Sequence, residues 1–230
     1  MLKKQKVIHR LIWYVLIFSI VGLIIETIYG YLTTGILESR KGLILGPFCP
    51  IYGVGAAILL ILLDNIKENK IKLFLYGALC GTIFEYICSY VMQIMYGSRF
   101  WDYSYTTFHI NGRVSLTYTF FWGVLSVILV GYVKVMLDKA IDKIPYKIWD
   151  KAIICFFIFD VIVTVIGIST YMKRVEYKYN GIYKEEKILD HIFNDKIMST
   201  IFPNLRYMDQ NGKEIYAVEI IKKDASKIKK

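Results

Sequence analysis

Three acidic side chains, Glu26, Glu85 and Asp160, stand inside stretches that are otherwise apolar. A carboxylate at the centre of a membrane span costs roughly 2.5–3.5 kcal/mol on insertion scales, so such a group faces a partner or a water-filled cavity. Arg40, Arg99 and Arg113 lie close to the ends of apolar stretches, where a guanidinium could reach down to a glutamate. Two readings stay open: ion pairs that orient packed helices, or Glu26, Glu85 and Arg113 lining a polar pocket or pathway.

A second candidate is the run Gly46-Pro47-Phe48-Cys49-Pro50-Ile51-Tyr52-Gly53-Val54-Gly55. Pro47 and Pro50 each remove an amide donor and clash with a preceding helical turn, so a regular helix does not pass through them. Within lipid, irregular backbone survives where protein or a water-filled cavity satisfies its polar groups. The run is therefore either a buried broken helix at a site or a plain entry turn with Pro50 at the first helical position. A third candidate is the loop from Tyr96 to Arg113, which is dense in aromatic and turn residues and carries Arg99, Asp102, His109 and Asn111. Trp101 and Tyr103 suit a membrane-interface belt, whereas Asp102 and His109 suit a binding surface.

The elements that must hold these residues follow from the distribution of apolar residues. The chain has 230 residues, 56% of them hydrophobic, yet a net charge of +10, with a mean hydropathy of +0.44. Long apolar runs alternate with short Lys-rich links, which excludes an ordinary soluble core and points to an all-α integral membrane protein. A span needs about 20 apolar residues to cross roughly 30 Å of hydrocarbon. Five segments qualify: Leu11–Thr33, Gly42–Leu63, Leu73–Tyr96, Val114–Leu137 and Ile148–Met172. They divide the chain into a basic segment at 1–10, a transmembrane domain at 11–172 and a polar C-terminal tail at 173–230. The first span follows Lys3, Lys4, Lys6 and Arg10, but it outruns a signal-peptide core and no small-x-small site follows, so it reads as a retained helix.

Lys and Arg in short loops favour the cytoplasmic side. The N-terminus and the Lys67/Lys70/Lys72 and Lys139/Lys143/Lys147 links are accordingly expected inside a cell membrane. Five spans then leave the Lys-rich tail outside, unless one span is re-entrant and brings it back. In that tail Asn180-Gly181 and Asn211-Gly212, each flanked by β-type residues, suggest two hairpins. Glu185 to Ile201 suggests an amphipathic helix that Pro203 stops. The four cysteines, Cys49, Cys80, Cys88 and Cys155, fit no CxxC or Cys/His pattern and read as reduced, packed residues. No metal site and no cofactor is expected.

An internal echo links two spans. Gly22-x-x-x-Glu26 in the first and Gly81-x-x-x-Glu85 in the third share a pattern, and each span is followed by a Ser-Arg pair and a glycine-containing span. Such repeats locate the substrate site in many transporters. Glu26 and Glu85 then share a level, about 20 Å along their helices from the cytoplasmic ends.

Several segments are similar to one known family. Gly22-x-x-x-Glu26-x-x-Tyr29, Gly46-Pro47-Phe48-Cys49-Pro50-Ile51-Tyr52-Gly53-x-Gly55-Ala56, Phe84-Glu85-Tyr86, Trp101-Asp102-Tyr103-Ser104 and Asn111-Gly112-Arg113 resemble the ABC-transporter type IV family of bacterial multi-pass membrane proteins. These motifs span most of Leu11 to Leu137, and Phe202-Pro203-Asn204-Leu205 is a weaker match. Leu23 and Phe100-Trp101 depart from the family pattern, which often carries tryptophan after the first glycine and a tryptophan pair before Asp-Tyr.

The resemblance implies a permease subunit of an ABC-type transporter. The chain has no Gly-x-x-x-x-Gly-Lys-[Ser/Thr] motif, so a separate ATPase subunit would have to drive it. Membrane lipids and further copies of the chain are the other candidate partners, and nucleic acid is not expected. The candidate polar site comprises Glu26, Glu85, Arg113, Arg99, Asp102, Pro47, Pro50, Tyr52 and Asn111. The alternatives are an intramembrane enzyme acting on a lipid, for which no Gly-x-Ser-x-Gly or His-Glu-x-x-His motif is present, and a membrane sensor or accessory protein using its tail.

Overall fold

Helix α1 (Lys3–Thr34) carries an almost unbroken run of Leu, Ile and Val, and it stops where Gly35 takes a left-handed φ of +70°. The computed structural model describes residues 3–146, 148–182 and 187–228. Among them, four helical stretches are long and apolar enough to cross a membrane: Lys4–Thr34, Lys70–Tyr96, Leu116–Ile141 and Ile148–Tyr179. The chain is a multi-pass, all-α membrane protein.

The second apolar segment is divided into two unlike halves. Gly42–Cys49 is irregular, and α2 (Pro50–Leu62) begins with proline at its first position, where neither the missing N–H nor the fixed φ is a handicap. Its 13 residues reach about 20 Å, short of a bilayer core. The irregular half is clamped on α6 (Ile148–Tyr179): Ile44 N–H donates to Thr164 Oγ1 at 3.0 Å, and Leu45 and Gly46 N–H donate to the two Asp160 carboxylate oxygens at 2.9 and 2.8 Å. Cys49 N–H donates to the Ser19 carbonyl of α1 at 2.9 Å. Asp160 is fully buried. The third membrane carboxylate is thus the anchor for the backbone N–H groups of this irregular stretch, and both readings are met: the backbone is broken and held by protein, and Pro50 stands at the first helical position.

Helix α3 (Lys70–Tyr96) is capped by Asn69, whose side chain accepts from Lys72 N–H, and ends at Gly97 with φ +61°. Ser115 caps α4 (Leu116–Ile128), which continues through a widened turn at Leu129–Val133 into α5 (Lys134–Ile141). Ion pairs tie the ends together. His9 contacts Asp150 at 2.7 Å, Arg10 contacts Asp138 and Asp142 at 2.7 Å, and Lys134 contacts Asp64 at 3.6 Å. The N-terminus, the α2–α3 link and the α5–α6 link therefore share one end of the molecule.

The tail lies at the other end. Strand β1 (Ser98–Arg99), just after α3, pairs with β4 (Arg206–Met208), which pairs with β5 (Glu214–Tyr216) in a three-stranded sheet. Strands β2 (His109–Ile110) and β3 (Val114–Ser115) form a separate hairpin in the α3–α4 loop. The Asn211-Gly212 hairpin forms as expected, with Tyr207 opposite Ile215. The Asn180-Gly181 hairpin does not. Residues 175–179 continue α6, because Val175 is fully buried under the tail, and Gly181 ends the helix with φ +68° while Ile182 N–H reaches the Tyr177 carbonyl at 2.8 Å. Tyr183 of that hairpin lies outside the described residues.

The amphipathic segment expected from Glu185, itself outside the described residues, is two short helices, α7 (Ile188–Ile192) and α8 (Asp195–Ile201), with Asn194 capping the second. With α9 (Ala217–Ile228) they enclose their own core on the last turns of α6, built from Ile168, Tyr171, Met172, Phe193, Met198 and Leu205.

Candidate functional site

Two aromatic clasps hold the two membrane glutamates. A Cβ built on Gly22 of α1 would lie 2.2 Å from the Tyr52 Cβ of α2, so the missing side chain lets Tyr52 cross α1 closely. One turn on, Tyr52 donates its hydroxyl to Glu26 Oε2 at 2.5 Å. In α3, a Cβ on Gly81 would lie 2.3 Å from Trp122 Cγ of α4, and Trp122 Nε1 donates to Glu85 Oε2 at 3.1 Å. Each aromatic is followed by a glycine pressed on the same partner helix: Gly53 faces the Val15 carbonyl, and Gly123 faces the Phe74 ring. Val15 and Phe74 both stand seven residues before their Gly-x-x-x-Glu glycine. The sequence echo is thus a repeated unit of three dimensions, α1–α2 and α3–α4.

Glu85 is 6% exposed and takes a second donor, the Tyr103 hydroxyl at 2.8 Å. Tyr103 belongs to the α3–α4 loop and stacks on Tyr118 with centroids 4.4 Å apart, so this loop dips onto a membrane carboxylate.

The arginines do not reach these glutamates. Arg40 pairs with Glu38 at 3.8 Å, and Arg99 pairs with Glu214 of β5 at 3.1 Å. Arg113 is 6% exposed; Nη1 donates to Ser89 Oγ at 3.1 Å, Nη2 donates to Gln93 Oε1, and the guanidinium lies 5.8 and 5.4 Å from the Tyr86 and Tyr90 rings. The nearby carboxylates are held by other donors, Glu85 by Tyr103 and Trp122 and Asp102 by Ser104 and Arg206.

What Arg99 and Arg113 share is a cleft. A cavity of about 680 Å³ opens between the α3–α4 loop and the tail hairpin. Arg99, Arg113 and Arg206 line it, together with Asp102, Glu214 and the rings of Tyr86 and Tyr90. Asn111 and Gly112, both with positive φ, make the tight turn that aims Arg113 inward. Asn111 also donates to the Tyr86 hydroxyl at 3.1 Å, and its carbonyl accepts from Arg99 at 3.1 Å. His109 lines the cleft while its Nδ1 accepts from Gly112 N–H at 3.0 Å.

Asp102 accepts from Ser104 N–H and Oγ at 3.0 and 2.6 Å and from Arg206 at 3.3 Å. Partial burial pushes its carboxyl up, but the Ser104 hydrogen bonds and the charges of Arg206 and Arg99 outweigh that and hold it below its ordinary value. Trp101, the residue before it, donates to the Arg113 carbonyl at 2.9 Å and so braces the backbone that carries Arg113.

The structure therefore divides the sequence-based site into two tiers. Glu26, Tyr52 and Glu85 form the inner tier, while Arg99, Asp102, Asn111 and Arg113 form the outer one. Pro47 and Pro50 serve the inner tier through the backbone, by setting where α2 starts. Trp122 and Tyr103 were missed as partners of Glu85, although Trp122-Gly123 repeats Tyr52-Gly53 and could have been found by extending the echo. Arg206 and Glu214 come from the far end of the chain, and nothing local marks them.

A family model described as "Putative ABC-transporter type IV" matches residues 13–165. The chain belongs to that family. The matched region covers both clasps, the broken segment, Asp160 and the Arg113 side of the cleft, whereas the tail that closes the cleft lies beyond it. Comparison with curated proteins and with solved structures gives no match. Among the described residues, no group of three His, Cys, Asp or Glu side chains is placed to hold a metal ion. All four cysteines are free, and Cys155 is exposed on α6 rather than packed as its position in an apolar run had suggested.

Proposed function

We propose that this chain of the ABC-transporter type IV family is a permease subunit whose substrate path runs from the outer arginine cleft to the glutamate clasps. The doubled clasp carries the reading. Duplicated helix pairs with a broken segment and a buried, hydrogen-bonded carboxylate at their interface are how membrane transporters build a central site. Tyr103 connects the tiers, since it belongs to the loop that walls the cleft and donates to Glu85.

The basic links at Lys67/Lys70/Lys72 and Lys139/Lys143/Lys147 support a cytoplasmic N-terminal end. The cleft and the folded tail then face outward, and a separate ATPase docks on the inner links, because this chain carries no nucleotide-binding loop.

The test is affinity purification of the tagged full chain from native membranes in mild detergent, with mass spectrometry of co-purifying proteins and lipids. A stoichiometric ATPase whose hydrolysis is lost on Glu85→Gln supports the permease. A bound lipid with no ATPase moves the assignment to an intramembrane enzyme or a sensor; the tail folded over the cleft suits the sensor.

A further inference from the structure

We infer that the outer cleft is a binding site for a phosphate-bearing anion, with Arg113 as its central donor. The inference deepens the permease reading by naming a ligand class, and it rests on that reading for the ligand's fate but not for its binding.

Three guanidinium groups and two carboxylates line the cavity. Arg99 and Arg206 are already paired, Arg99 with Glu214 and Arg206 with both Asp102 and Glu214. Arg113 differs. It is 6% exposed, and among the described residues its partners are the neutral Ser89, Gln93 and two tyrosine rings. A guanidinium stays charged at any physiological pH, and a buried charge without a counter-charge is costly, so this position is completed by an anion from outside.

The donors left over select the anion. A guanidinium has five N–H groups in a fixed fork, and the neutral contacts of Arg113 use two of them. A tetrahedral phosphate offers oxygens to more than one arginine at once, which a planar carboxylate does less well. The tyrosine hydroxyls add neutral donors. Asp102 sits on the same wall as a brake, since its negative charge both occupies Arg206 and repels the ligand. The cleft lies beside the last turns of α3, within reach of lipid headgroups and of dissolved solutes alike.

The test uses the purified full chain without any ATPase, so that failure of transport and failure of binding remain separate results. Thermal midpoints are measured in detergent with increasing inorganic phosphate, and in nanodiscs of phosphatidylcholine with or without phosphatidylglycerol. A rise with inorganic phosphate that weakens at least about tenfold in apparent affinity on Arg113→Gln identifies a dissolved phosphate compound as the ligand. A rise with phosphatidylglycerol alone, lost in the same variant, identifies a lipid headgroup. Asp102→Asn, which keeps the side chain's shape and removes its charge, is expected to tighten whichever ligand binds, and it carries the test if Arg113→Gln does not fold. No rise with either probe, or rises that neither variant changes, overturns the site.

Discussion

The indole N–H of Trp122 meets Glu85 Oε2 at 3.1 Å while its ring rests on Gly81, one turn earlier on the same helix. Tyr52 makes the corresponding pair of contacts with Glu26 and Gly22. Close packing and hydrogen bonding are therefore coupled: the glycine admits the aromatic, and the aromatic satisfies the glutamate. Gly81→Ala and Gly22→Ala should each destabilise the fold by about 1–3 kcal/mol through overpacking, read as a lower thermal midpoint in detergent. A large effect at one glycine with none at the other would sink the equivalence of the two units.

Loss of the carboxylate at the inner tier should separate function from assembly. Glu85→Gln and Arg113→Ala are each expected to abolish function while inserting normally, and Cys155→Ser, at an exposed position of α6, should leave it unchanged. Membrane fractionation and a growth or uptake assay in the native host decide this; normal function in both of the first two variants removes the proposed site.

Asp160 should matter for stability more than for transport. Its carboxylate takes the Leu45 and Gly46 N–H groups, so Asp160→Leu strands the buried Gly46 donor at about 1–3 kcal/mol and the half-buried Leu45 donor at less. Asp160→Asn keeps one acceptor oxygen and should cost less. Thermal unfolding of the two variants in detergent gives the order, and equal losses would argue against the clamp.

The clamp between α1 and the α5–α6 link carries a pH signature. Hydrogen bonds from Arg10, opposed by slight burial and aided by Lys6, push the Asp142 carboxyl from its ordinary 3.8 to about 2. A depressed carboxyl stabilises fully above its unfolded value and loses that contribution as pH falls through the folded one. Wild type should thus lose midpoint between about pH 4 and pH 2 more steeply than Asp142→Asn. The pair is solvent-exposed, so the difference should be small.

Arg174 is the fastening of the tail. It contacts Asp190 at 2.6 Å and Asp195 at 3.0 Å, and it donates to the Phe193 carbonyl. Its removal by Arg174→Ala leaves Asp190 without its ion-pair partner and Asp195 with Lys178 alone, and should open the region after Tyr179 to limited proteolysis, while 4–141 stays protected. Equal cleavage of the variant and the wild type would show that apolar packing alone holds the tail.

The sequence alone determined the membrane class, four of the helical stretches, the basic links, the Gly-x-x-x-Glu echo and the family, because each is written in local hydropathy, charge or short motifs. Tertiary structure decided what the charged residues meet. Arg99 pairs with Glu214 of the tail rather than with the membrane glutamate its position suggested, and Arg206 pairs with Asp102 and Glu214, since strand pairing of residues 98–99 with 206–207 brings the tail over the loop. It also decided that Asp160 holds backbone amides and that residues 175–179 stay helical under the tail. Hydropathy records that a segment enters the membrane; which groups then satisfy one another depends on helix packing, and packing joins residues more than a hundred positions apart.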